Sequence, residues 1–225
     1  MNNKQLLDAF YEIISESKIE MFDRIASDRT NYLTVVLENV FQEHNASAVL
    51  RSCDCFGIQN LHVIEKDNQY KVQRDIALGA GRWVDVFNYD KGDNPTLDCL
   101  LKLKDKGYKI VATTPHENDC LISELDLSQP SALVFGTERK GISKDVKDLA
   151  DEFVKIPMYG FTESFNVSVS AAITLNLLRA RLEKTNIEWR LNHQEQIDLK
   201  LEWSKKIVNK GELLEKELKK RFSLD

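Results

Sequence analysis

The chain has 225 residues, 42% of them hydrophobic and 30% charged, with a formal net charge of −5. That length fits one α/β domain with helical additions, or two small domains, and the composition excludes an intrinsically disordered chain. No apolar run approaches the ~20 residues that cross a bilayer, and the N-terminus mixes acids and bases through its apolar positions, unlike a signal peptide.

In chain order, Leu6, Phe10, Ile13 and Ile14 stand at helical spacing and predict a helix over residues 5–20. "YLTVVLENV" reads as a strand, the small-residue stretch after Asn45 as a helix, and "LHVIEK" as a second strand. A helix over Leu97 to Lys106 precedes "YKIVATTP" and "ALVFGTE", two more β-branched runs. Ser143 is a plausible N-cap for a helix reaching Ala150, after which come the strand "EFVKIPM" and a buried helix, "VSVSAAITLNLLRARL". Apolar strands alternating with helices predict a parallel sheet covered on both faces. From Asn186 onward Trp203, Ile207, Leu214 and Leu218 recur at helical steps, predicting one or two amphipathic helices that dock on the central domain.

The cysteines Cys53, Cys55, Cys99 and Cys120 form no C-x-x-C pair, and no His stands at ligand spacing. The expectation is a reduced, cytoplasmic protein without a metal site. The acidic total argues against nucleic acid, because phosphate binding calls for a basic footprint. From Lys184 to Asp225, however, ten Lys and Arg stand against eight Asp and Glu. The bland account of such an excess is a solvated helix face.

In doubly wound sheets ligands gather at the carboxyl ends of strands. Three such ends are unusual here: "ATTPH" with Thr113 and Thr114, "VFGTERKGIS" with Gly136, Glu138 and Gly141, and "IPMYGFTESFN" with Gly160, Ser164 and Asn166. Glycine and proline there let backbone groups face a ligand. Each alone is an ordinary loop; the three together point to a shared pocket. Asn45 fits a helix N-cap equally well as a functional residue, and Arg51 fits a surface pair with Asp54 equally well as an anion-binding group. Spacing alone does not choose. Motifs for a dehydrogenase, a zinc protease or a P-loop NTPase are missing.

"ENVFQEHNASAVLRSCDCFG", "LVFGTERKGIS" and "IPMYGFTESFNVSVSAAITLNLL" resemble, in order and separation, motifs 1, 2 and 3 of the SPOUT RNA methyltransferases. Within that superfamily the chain is most similar to the TrmH type, the tRNA guanosine-18 2′-O-methyltransferases. "RIASDRTNYLTVVLENV" and "GAGRWVDV" add to the likeness, which covers most of residues 20–182. The resemblance implies a SPOUT fold with a C-terminal trefoil knot over residues 31–182, flanked by helical extensions over 1–30 and 183–225. It implies a homodimer that methylates a tRNA ribose with S-adenosylmethionine. Asn45 and Arg51 would be the catalytic pair of motif 1, Glu138 the carboxylate of motif 2, and Ser164 and Asn166 the polar pair of motif 3. Backbone around Thr113, Gly136, Ile156 and Phe165 would hold the cofactor, and Arg24, Arg29 and the Lys-rich C-terminal helix would meet tRNA. Methylation of ribosomal RNA or of another tRNA position, and a non-catalytic RNA-binding module, are the alternatives.

Overall fold

A computed structural model describes residues 2–66, 70–115, 120–137 and 140–221. The chain divides into two compact units, one of residues 31–189 and one that joins residues 1–30 to 190–225.

Among the described residues, the larger unit is built on a seven-stranded sheet. Its strands are β1 (Leu33–Glu38), β2 (Asn60–Ile64), β3 (Asp85–Tyr89), β4 (Lys109–Thr113), β5 (Cys120–Leu121), β6 (Ser131–Phe135) and β7 (Glu152–Lys155). They lie in the order β3-β2-β1-β6-β4-β7-β5, and every pair is parallel. Two-residue alternation splits the strand side chains between two cores. Leu33, Val35 and Leu37 of β1 and Leu133 and Phe135 of β6 face one; Val36, Ala132 and Val134 face the other. The expected parallel sheet with two covered faces is what forms. β3 and β5 escape the sequence pattern: β3 is largely half-buried or exposed, and β5 has two residues.

On the first face lie α3 (Glu43–Cys55) and α7 (Val167–Leu182), with a short helix α4 (Arg74–Ala77) and a 3-10 turn at Ala80–Arg82 beside α3. On the second lie α5 (Pro95–Asp105) and α6 (Lys144–Leu149). The small residues of α3 serve close packing. Ser47 and Ser52 return their hydroxyls to the carbonyls of Glu43 and Ala48 four residues back, as helical serines do. Ser47 Oγ also accepts the Gln73 N–H at 2.8 Å, which ties the second turn of α3 to the segment leading into α4.

In the smaller unit the sequence predicts one helix over residues 5–20, but two form: α1 (Asn3–Tyr11) and α2 (Glu16–Ala26). The break leaves Ile13 59% exposed, so that side chain is not a core position. Asn2 closes a capping box on α1, whose Leu6, Leu7 and Phe10 pack against Ile197 and Leu201 of α8 (His193–Ile207). Leu214 and Leu218 of α9 (Gly211–Arg221) cover the same cluster. Arg29 is 2% exposed, with its guanidinium 5.5 Å from the Trp203 ring centroid. It is a core residue stacked on an aromatic face, so the expectation that it meets tRNA phosphate fails. Among the described residues, no helix is long and apolar enough to cross a membrane.

Candidate functional site

Adjacency in the sheet explains why distant segments meet. β6, β4 and β7 are neighbours, and Thr113 pairs with Phe135 on one side and Val154 on the other. Because all three strands run the same way, the segments after Thr113, Phe135 and Lys155 leave one edge together. Thr113 Oγ1 donates to the Val134 carbonyl at 2.9 Å, and Thr114 N–H to the Val154 carbonyl at 3.0 Å, which extends order past the strand end.

These segments line two cavities that share Thr113, Thr114, Pro115, Ser164, Phe165 and Ser170. The first, of about 420 Å³, is completed mainly by apolar side chains: Ile122, Val154, Ile156 and Met158. The second, of about 910 Å³, adds Gly136, Thr137, Lys140, Gly141 and Glu163. An apolar slot opening into a polar one suits a nucleoside joined to a charged tail. Gly136 is required by shape, since a Cβ there would lie 2.3 Å from the Gly141 carbonyl carbon and 2.4 Å from the Ile142 nitrogen. The bridge between Thr137 and Gly141, two backbone hydrogen bonds of 2.9 and 3.0 Å, holds that close approach. Thr174, fully buried at the wall of the apolar cavity, carries an Oγ1 without a hydrogen-bond partner among the described residues. A buried orphan hydroxyl beside an apolar cavity is a fit for a ligand's polar edge.

Thr113, Gly136, Ile156 and Phe165 all line this pair of cavities, and Ser164 lines both members. Asn166 caps α7 by accepting the Ser168 N–H, and its Nδ2 donates to Asn45 Oδ1 at 3.1 Å. Asn45 is not an N-cap: α3 begins two residues earlier with Gln42 as its cap, so Asn45 sits in the first turn, 3% exposed, donating to Gln42 Oε1 at 2.9 Å. Arg51 lines neither cavity. Six residues beyond Asn45, it lies about 9 Å farther along the helix on a different face. It is exposed. Glu138 lies outside the described residues.

Sequence reading missed Ser170 and Thr174, which stand four apart and bring two hydroxyls to one side of α7. That pattern is legible without a structure. It also missed Lys140 and Glu163 of the polar cavity, a cation and an anion that nothing in their spacing distinguishes from surface charge.

A parallel sheet whose adjoining strand ends enclose a cleft of this kind defines an α/β enzyme built to hold a nucleoside-like cofactor. The model of the SpoU rRNA Methylase family matches residues 32–176. The tRNA (guanosine(18)-2'-O)-methyltransferase of Borreliella burgdorferi is 38% identical over 204 residues, 91% of this chain and 92% of that one. The enzyme of the same name from Aquifex aeolicus is 34% identical, over 76% of this chain and 81% of its own. The crystal structure of the A. aeolicus TrmH/SpoU tRNA modifying enzyme superposes with a TM-score of 0.76 at 30% identity, covering 86% of this chain and 98% of the other. The chain belongs to the SpoU methylase family.

Proposed function

We propose that this protein transfers the methyl group of S-adenosylmethionine to the 2′-hydroxyl of guanosine 18 in the D-loop of tRNA, and that it works in the cytoplasm as a homodimer. The observation that carries the reading is the convergence of three strand-end segments on one pair of cavities, joined to α3 through the Asn166–Asn45 bond. The curated relatives, alike over most of the chain, supply the substrate.

S-adenosylmethionine supplies an electrophilic methyl group on a sulfonium. Ile122, Val154, Ile156, Met158 and Phe165 would take its apolar base, and the polar cavity at Gly136 and Thr137 its charged end. The chain's own task is to hold the ribose hydroxyl in line and manage one proton. Ser164, which lines both cavities, would offer the ribose a hydroxyl, and Asn166, which lines neither, would act beside it through its bond to Asn45. A guanidinium carries five N–H donors and no acceptor, so Arg51 serves by orienting the hydroxyl and stabilising developing oxyanion charge. An RNA phosphate or solvent takes the proton. Glu138 belongs to the same reading through the motif that surrounds it.

Arg51 is exposed and lines neither cavity of its own chain, which favours a site completed by a second copy. α7 supports that arrangement. It is rich in apolar residues yet leaves Val169 43% exposed, and Tyr159 and Phe161 just before it are 95% and fully exposed. A helix of that character is ordinarily covered. The trefoil knot implied by the family likeness is part of the same reading, and close packing of α3 on α7 through small residues is compatible with it.

The test is methyl transfer from labelled S-adenosylmethionine to tRNA transcripts with guanosine or another nucleotide at position 18. Incorporation that requires guanosine 18 is the expected result. Labelling of ribosomal RNA alone would move the substrate, and no incorporation into any RNA would remove the activity.

A further inference from the structure

Glu38 ends β1, a strand in which all six residues are buried, and its side chain is 4% exposed. Among the described residues it has no ion pair, although a buried carboxylate without a cation is costly. Its partners are donors at the starts of two helices. Oε2 accepts the backbone N–H of Ser143, the N-cap of α6, at 2.8 Å. Oε1 accepts the hydroxyl of Thr96, in the first turn of α5, at 3.2 Å. The partial positive charge at helix N-termini compensates in part for the missing cation.

Ser143 follows directly on the Gly136–Ile142 contact that shapes the polar cavity. Gly136 touches the Gly141 carbonyl and the Ile142 nitrogen too closely for any side chain, and Gly136, Thr137, Lys140 and Gly141 line the cavity wall. A shift of the Ser143 nitrogen is therefore passed to Ile142 and Gly141, and from them to Gly136. Glu38 itself is far along the chain and lines neither cavity.

We propose that Glu38 is a positioning residue for the methyl donor: by holding the Ser143 N–H, its carboxylate fixes the wall of the polar cavity formed by Gly136, Thr137 and Gly141. This rests on the reading of the cleft as the S-adenosylmethionine site. A role confined to joining α5 and α6 would lower stability without changing cofactor affinity in the folded protein. A positioning role changes that affinity and is rescued by a side chain that still accepts from Ser143.

The experiment is calorimetric titration of S-adenosylmethionine into the full chain and into Glu38→Ala, Glu38→Gln and Glu38→Asp, with circular dichroism to verify folding. Loss of a hydrogen bond to a buried group is worth about tenfold in the dissociation constant for Glu38→Ala. Glu38→Gln should return to within about threefold of wild type, since its carbonyl oxygen accepts Ser143 N–H and its amide donates to Thr96. Folded Glu38→Ala with wild-type affinity overturns the proposal, as does Glu38→Gln binding as weakly as Glu38→Ala. Should Glu38→Ala not fold, Glu38→Asp decides: one methylene shorter, it cannot reach both donors, and unchanged affinity there overturns the assignment equally. A wild-type chain that binds no S-adenosylmethionine overturns the reading of the cleft itself, an outcome visible before any variant is measured.

Discussion

Asn166 and Asn45, 121 positions apart in sequence, meet side chain to side chain at 3.1 Å. Each is also committed elsewhere. Asn45 Nδ2 donates to Gln42 Oε1, and Asn166 Oδ1 accepts from the Ser168 N–H at 2.9 Å and the Ser168 hydroxyl at 2.6 Å. The start of α3 and the start of α7 are thus one hydrogen-bonded run, which fixes both amide orientations without reference to a substrate.

That run makes the two asparagines energetically coupled. A double-mutant cycle of Asn45→Ala and Asn166→Ala, read by urea unfolding, should give a coupling of about 1 kcal/mol, the usual worth of one partly buried hydrogen bond. Asn166→Ala alone should cost more than its share, since it also removes the cap of α7, worth about 1 kcal/mol. Additive single-variant costs would mean that the contact contributes nothing.

Arg51→Ala should separate chemistry from cofactor binding. The side chain lines neither cavity, so the S-adenosylmethionine dissociation constant should stay within about twofold while turnover falls at least a hundredfold, the scale of losing one electrostatic stabiliser. Arg51→Lys keeps the charge but loses the planar fork, and should recover little. Near wild-type turnover in Arg51→Ala would take this residue out of the reaction.

His62 makes stability pH-dependent. It is 2% exposed, stacked on Phe87 at 4.9 Å, and its Nδ1 lies 3.2 Å from the Tyr89 hydroxyl. Burial, with Lys106 nearby, lowers its pKa from 6.5 to about 4. Between those values the unfolded chain holds a proton that the folded chain lacks, so stability falls as pH drops through 6.5 and the loss is complete below about 4. The full effect is roughly 3 kcal/mol. Unfolding midpoints in urea from pH 7.5 to 4.5 should show this slope, and His62→Leu should flatten it. An equal slope in both proteins would assign the dependence to other groups.

How far the sequence is legible varies with the kind of constraint. β1 and β6 could be read because strands buried on both faces are near-continuous apolar runs, and Ser143 because an N-cap is a local chemical preference. β3 could not, since Asp85, Asn88 and Tyr89 lie at an edge where alternation is weak. The break between α1 and α2 was hidden by Ile13 and Ile14, apolar residues that continue a helical period through a turn. Thr113, Gly136 and Ser164 are marked by Gly and Pro after strands, whereas Glu38 is not marked at all. Its partners, Thr96 and Ser143, lie 58 and 105 positions away and belong to the tertiary structure alone. Arg29 shows the converse error, a charge taken for surface that packs on Trp203.

Thr174 offers the sharpest contrast between stability and binding. A helical threonine ordinarily returns its hydroxyl to the carbonyl four residues back, but the Thr174 Oγ1 is buried with no partner among the described residues. Such an orphan costs about 1–3 kcal/mol, so Thr174→Val, nearly the same shape, should raise the stability of the ligand-free chain by about 1 kcal/mol. If the hydroxyl meets the polar edge of the cofactor, the same substitution should weaken S-adenosylmethionine about tenfold, because the ligand then loses a partner inside an apolar slot. The opposed signs make the pair of measurements decisive. A variant that is stabilised and binds as tightly as wild type would leave Thr174 a packing residue with a misplaced oxygen, and a destabilised variant would show that Oγ1 is satisfied after all.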